Sequence, residues 1–322
     1  MFYPIWKIED TPTHSLTKID SKMKQEKLKQ VFVLLAIMAL TFNSSAQSFE
    51  NLNHLPGHHL KTYYSDGSMA QAENMANRCD RVMSFYASIL QFEPSVTLLV
   101  LSPADWTKYT EFPVYGMPHY DDAQILIVAS EDNDFWKSFI PAMEKLPSDL
   151  AKEISTTYAS KDGELTMRDF FDLLAIHELG HAFHIQGGLK MQRKWMGELL
   201  ANIFLHTYIA EKESDLLPAL TVFPKMVVSS INKEDLKFTT LEELESNYGL
   251  LGQQFPQNYG WYQCRWHMAA GDIYDAGGIK AFNALWYELQ KEKEQLDDAA
   301  FLLLLSTKVD QSVANVPLNW NE

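Results

Sequence analysis

Cysteine and positive charge are scarce in this chain of 322 residues. Its two cysteines, Cys79 and Cys264, lie far apart, and neither has the spacing of a metal-binding pair. A disulfide-dense scaffold and a cysteine-ligated metal site are therefore excluded, while a pairing of the two with each other stays open. Lysine and arginine number 27 against 42 acidic residues, a formal net charge of −15. With no basic run and no basic–aromatic stripe, the chain lacks the electrostatic footprint of a nucleic-acid binder, and an anionic membrane surface would repel it. Internal repeats and low-complexity tracts are also absent. What remains is one or two globular domains with ample apolar residues for a core.

A membrane-spanning run is missing too. The apolar stretch Val31 to Phe42 is too short to cross a bilayer comfortably. It follows Lys24, Lys27 and Lys29 and precedes Asn43-Ser44-Ser45-Ala46-Gln47, the layout of a secretory signal peptide. Ser44 and Ala46 satisfy the small-x-small rule and place cleavage after Ala46, and no cysteine stands at the cut to carry a lipid anchor. Met23 opens a signal peptide of conventional length, so residues 1–22 read as an upstream extension. The expected mature protein is secreted or periplasmic, with no transmembrane segment.

Residues 1–46 are thus set apart as upstream extension and signal peptide. Residues 47–165 alternate strand-like and helical stretches. Strands are expected at His59 to Ser65, Val96 to Ser102 and Gln124 to Ala129, and helices at Met69 to Leu90, Asp132 to Lys145 and Ser148 to Tyr158. The loop Phe112 to Pro118 punctuates the approach to the third strand. From Thr166 to the end, residues 166–322, the chain reads as mainly helical. The fold class implied is α+β, a small mixed sheet followed by a helical part, the two forming one unit.

The helical part carries the chemistry. Thr166, with Asp169 three residues later, marks a helix start, and Gly187-Gly188 marks a stop. Phe170 to Ile176 leads directly into His177-Glu178-Leu179-Gly180-His181. Two histidines four apart on a helix are separated by about 40° around its axis and one turn along it, so both imidazoles reach one metal ion. Glu178 beside them is placed to act on a water at the metal, the arrangement of the His-Glu-x-x-His motif. The helix is apolar nearly all round and so is expected to be buried, where two histidines and a glutamate are costly unless something satisfies them.

A catalytic zinc takes a third protein ligand. The pattern that ends in a third histidine fails here, since His184 stands where its glycine belongs and Gly187 where its histidine belongs. The other solution is a glutamate on the next helix. Glu198, seventeen residues beyond His181, sits in the nearly all-apolar stretch Gly197 to Phe204, where a carboxylate must pair or bind metal. Asn202 lies one turn further on and is placed to hold a zinc-bound histidine by its outer ring nitrogen. His184 lies on the histidine face but about 10 Å along the helix from His177, which suits a supporting role rather than ligation. His58, His59 and His119 have no partner pattern and read as surface or loop residues.

In these two motifs, His177 to His181 and Glu198 to Asn202, the chain resembles the gluzincins, zinc peptidases that include thermolysin-like proteases and aminopeptidase-N-like catalytic domains. The resemblance implies a zincin-like fold and one Zn2+ per chain, held by His177, His181 and Glu198, with Glu178 as general base and Asn202 in support. The stretch from Tyr262-Gln263-Cys264 to Gly277-Gly278 is similar to the tyrosine-bearing helix of the aminopeptidase-N-like domains. That similarity implies Tyr262 as oxyanion stabiliser, with Tyr259 and His267 as rivals. The strand that captures a substrate's free amine in those enzymes has no counterpart, because Gly116-Met117-Pro118-His119 is not followed by a glutamate and asparagine. Aminopeptidase activity is unsupported, though strand Gln124 to Ala129 is placed to line the cleft and pair with an extended peptide.

The expected function is a secreted zinc metallopeptidase acting on a peptide or protein substrate. Two alternatives stand beside it, a secreted zinc-binding protein of the same fold without peptidase activity and a zinc amidase acting on cell-wall peptides.

Overall fold

Two apolar runs of five residues, Thr97-Leu-Leu-Val-Leu101 and Ile125-Leu-Ile-Val-Ala129, form the middle of the sheet, and nearly every one of their residues is buried. Continuous runs rich in branched side chains suit strands covered on both faces. In the computed structural model, which describes residues 49–321 apart from Lys161, the strands are β1 (Asn53–Leu55), β2 (Lys61–Tyr64), β3 (Thr97–Leu101), β4 (His119–Tyr120) and β5 (Ile125–Ala129). The sheet order is β1-β2-β3-β5-β4. Strands β2, β3 and β5 run parallel, while β1 and β4 pair antiparallel at the two edges. The signal-peptide assignment lies outside the described residues. Among those described, no helix is long and apolar enough to cross a membrane.

Helix α1 (Met69–Leu90) makes the crossover from β2 to β3, over the span expected. Its buried face runs through Met75, Cys79, Val82, Tyr86 and Leu90. Cys79 and Cys264 are both buried and unpaired. Short α2 (Pro103–Tyr109) follows β3, and α3 (Asp134–Lys137) follows β5. The helix expected over 132–145 is reduced to α3 and a separate 3-10 turn at Met143–Lys145. Pro141 lies between them, and proline both lacks a donor and pushes its predecessor out of helical geometry.

The rest is helical, as expected: α4 (Ser148–Tyr158), α5 (Arg168–Gln186), α6 (Lys194–Lys212), α7 (Leu217–Ser230), α8 (Leu241–Gln254), α9 (Pro256–Lys291), α10 (Asp298–Leu304) and α11 (Gln311–Leu318). Helix α9 does not stop at its glycine pair; it kinks at Gly278 (φ 55°, ψ −157°) and continues. The described residues are thus a mixed α+β fold with a small five-stranded sheet and a large helical part.

Strand β4 corrects the expectation about the cleft. Strand β5 is flanked on both sides, by β3 and by β4, so it is not the free edge. The outer strand is β4, whose two residues give no alternating pattern to recognise. The preceding loop holds it in place: Trp106 Nε1 donates to the Phe112 carbonyl at 2.8 Å, and Trp136 Nε1 to the Gly116 carbonyl at 2.6 Å. Gly116 (φ 101°) is forced there, since a Cβ would lie 2.5–2.9 Å from the Asn133 side chain. His119 is accordingly a half-buried strand residue, its Nε2 2.7 Å from Thr110 Oγ1.

Helices α5 and α6 pack closely because the motif carries a glycine at its fourth position. A Cβ on Gly180 would stand 3.0 Å from Ala201 Cα and 3.3 Å from Ala201 Cβ. Behind this contact Tyr86 stacks on Phe204 (centroids 3.7 Å apart), with Phe183 and Phe282 edge-on to Tyr86. The close approach sets α6, and with it Glu198, against the histidine face of α5. Gly180→Val is expected to destabilise the fold by about 1–3 kcal/mol through overpacking, read as a lower denaturant midpoint. Gly249→Ala on α8, where a Cβ meets nothing within 4 Å, is expected to leave the midpoint unchanged or raise it.

Candidate metal centre

Three side chains that the sequence singled out converge. His177 and His181 point from α5, with their Nε2 atoms 3.1 Å apart. Glu198 on α6 places Oε2 at 3.4 Å from His177 Nε2 and 3.6 Å from His181 Nε2. Ligands at 2.0–2.2 Å around a tetrahedral ion are separated from one another by about 3.3 Å. The three observed spacings bracket that value, so one ion fits against all three donors. His177 and Glu198 are each 6% exposed, and the group is the one cluster of three or more candidate ligands among the described residues. This buried group can hold a metal ion.

The surrounding charges follow from burial. Burial alone would raise the Glu198 carboxyl, but the neighbouring His181 and His177 outweigh it and hold its pKa well below the usual carboxylate range. For His181 burial disfavours charge, yet the Glu198 carboxylate prevails and the ring is pushed up to about 9. His181 Nδ1 faces His184 Nε2 at 3.0 Å. Burial and then His181 push His184 down to about 3, so it stays neutral and accepts the His181 Nδ1–H. That bond turns His181 Nε2 toward Glu198, the supporting role expected of His184.

Glu178 is the next residue on α5 and is raised above the usual carboxylate range, chiefly by burial and partly offset by the two histidines. Its Oε2 accepts the backbone N–H of Tyr120 at 3.0 Å, so the edge strand β4 fixes the carboxylate. The Tyr120 hydroxyl in turn accepts from Gln186 Nε2 at 2.8 Å, tying the far end of α5 to the same strand.

Two expected residues stand elsewhere. Tyr262 donates its hydroxyl to the Thr240 carbonyl at 2.7 Å, and its ring stacks on Trp320 at 5.8 Å. It lies off the site-facing row of Tyr259, Gln263 and His267, offset from them by about 60°, 100° and 140° around the helix axis. The rivals are therefore nearer: Tyr259 bonds Gln263, and the His267 ring lies 6.3 Å from that of His177. Asn202 donates to the Glu198 carbonyl at 2.9 Å and to Gln263 Oε1 at 3.3 Å. Its Oδ1 and His177 Nδ1 are both buried without a hydrogen-bond partner, so the structure joins Asn202 to the surroundings of Glu198 and not to a histidine.

Sequence reading missed Tyr248, Gln263 and Tyr120. The Tyr248 hydroxyl donates a short bond to Glu198 Oε1, and Gln263 Nε2 donates to Oε2 at 2.7 Å. Gln263 had a signal, its i,i+4 spacing from both Tyr259 and His267. Tyr248 and the Tyr120 amide had none.

No family model matches the chain, and no curated protein matches it, so the geometry alone bears on what the centre does.

A metal must displace the proton that His181 carries in the free site, since ligation needs the ring-nitrogen lone pair. Because the folded-state pKa is raised, that proton is fully present at neutral pH and lost only as pH rises through about 9. Metal affinity is expected to weaken as pH falls below that range. Calorimetry in buffers of different ionisation heat should show protons released on metal binding at pH 7. Binding without proton release would contradict this charge state.

Proposed function

We propose that this protein is a secreted zinc metallopeptidase of the gluzincin kind, with a zincin-like fold and one Zn2+ per chain held by His177, His181 and Glu198. The observation that carries the reading is the convergence of these three donors at tetrahedral spacing, with a strand-held glutamate as the very next residue on the helix. Two imidazoles and a carboxylate are a donor set suited to catalytic zinc, which leaves a position open. Bound there, zinc would supply a Lewis acid that polarises a carbonyl and makes water more acidic.

The chain's own residues do the rest. Glu178 takes a proton from the attacking water and returns it to the leaving amine. A raised pKa suits that double duty, because the group must hold the proton between the two steps. The Tyr120 N–H orients the carboxylate and keeps it on the β4 side of the cleft. Tyr259, whose oxygen accepts from Gln263 Nε2 at 2.8 Å, is better placed than Tyr262 to donate to a developing oxyanion. Substrate would be a peptide or protein chain.

Purified protein is expected to cleave members of a peptide library, with the activity lost on chelation and restored by zinc. Glu178→Gln is expected to retain zinc, counted by elemental analysis, while hydrolysis falls by about 10²–10⁴-fold. Full activity in that variant would remove Glu178 from the mechanism. Zinc binding without turnover of any peptide would favour a non-hydrolytic role for the same site.

A further inference from the structure

Glu198 is gripped at both oxygens by side chains from two other helices, more than ligation through one oxygen requires. Oε2 faces the two histidine Nε2 atoms and also accepts from Gln263 Nε2 on α9. Oε1 accepts from the Tyr248 hydroxyl on α8. Each donor is itself held. Gln263 Nε2 donates in addition to Tyr259 Oη, and Gln263 Oε1 accepts from Asn202 Nδ2. The start of α8 is set by a reciprocal cap, in which Thr240 Oγ1 accepts from the Glu243 N–H and Glu243 Oε2 accepts from the Thr240 N–H.

We propose that Tyr248 and Gln263 are positioning residues of the metal centre, a two-point clamp that presents one oxygen of Glu198 to the ion and holds the other away from it. The inference rests on the metal-centre reading above. A carboxylate free to rotate can offer a metal either oxygen or both, and binding both would fill the position that water and substrate need. With Oε1 bonded to Tyr248, the carboxylate cannot turn to two-oxygen ligation without breaking that bond. With Oε2 bonded to Gln263, the ligating oxygen is fixed at the spacing observed from both histidines. Neither residue is a ligand itself, and both act on the ion through their bonds to Glu198. Groups that orient a metal ligand typically account for about 10–100-fold in metal affinity.

The full-length purified protein provides the test, in wild-type form and as Tyr248→Phe and Gln263→Leu. Tyr274→Phe is the matched control, because Tyr274 on α9 donates to Glu211 on α6 at 3.0 Å, a tyrosine–glutamate bond between helices far from the centre. Zinc affinity is measured by competition with a chromophoric chelator, and cobalt(II) serves as a spectroscopic probe of ligand number. Zinc binding is expected to weaken by about 10–100-fold in Tyr248→Phe and in Gln263→Leu, and to stay unchanged in Tyr274→Phe. The cobalt absorption of Tyr248→Phe is expected to fall in intensity as the freed oxygen joins the ligand set, a change that lost packing alone would not produce. Circular dichroism of the metal-free proteins shows whether each variant is folded, and either folded variant suffices. Wild-type zinc affinity with an unchanged cobalt spectrum in a folded variant overturns the clamp and leaves the metal centre standing. A wild-type protein that takes up neither metal overturns both.

Discussion

A carboxylate removed from water costs several kcal/mol unless charges and donors surround it, and Glu198 sits almost wholly buried where α5, α6, α8 and α9 meet. The arrangement of these helices answers to that one group. Helix α5 supplies two imidazoles, α8 a tyrosine hydroxyl and α9 a glutamine amide. The close contact at Gly180 and Ala201 lets α6 approach near enough for the imidazoles to reach it. The low pKa of Glu198 and the high pKa of His181 are the two sides of this single interaction. In the free protein it is an ion pair, and the same donors form the triangle that fits an ion.

The sheet contributes to the site through its edge. Parallel β2, β3 and β5 make the buried middle, and antiparallel β4 closes the side facing α5. One backbone amide on that strand, from Tyr120, reaches Glu178. Sheet and helices are therefore joined at the residue to which the proposed chemistry assigns the proton, and the loop anchored by Trp106, Trp136 and Gly116 keeps the strand at that distance.

Much of this was legible in the sequence, for identifiable reasons. The histidine spacing and the embedded glutamate are local patterns, and burial of polar groups in apolar helices forces a satisfying partner, so His177, His181 and Glu198 could be named together. Helices α1 and α4 were placed over their full spans by apolar periodicity. Strand β4 was missed because two residues carry no period, and its position comes from tryptophans elsewhere in the chain. Tyr262 was chosen over Tyr259 because a helix in isolation does not say which face meets the centre. Its partners Thr240 and Trp320 are distant in sequence. Tyr248 offered no local signal at all, since it meets Glu198 only through the packing of α8.

Zinc-edge X-ray absorption on the purified wild-type protein tests the central claim most directly. The account predicts one zinc per chain with two imidazole nitrogens and light oxygen donors at about 2.0–2.2 Å. A spectrum with three or more imidazoles, with sulfur, or with no bound zinc would contradict it.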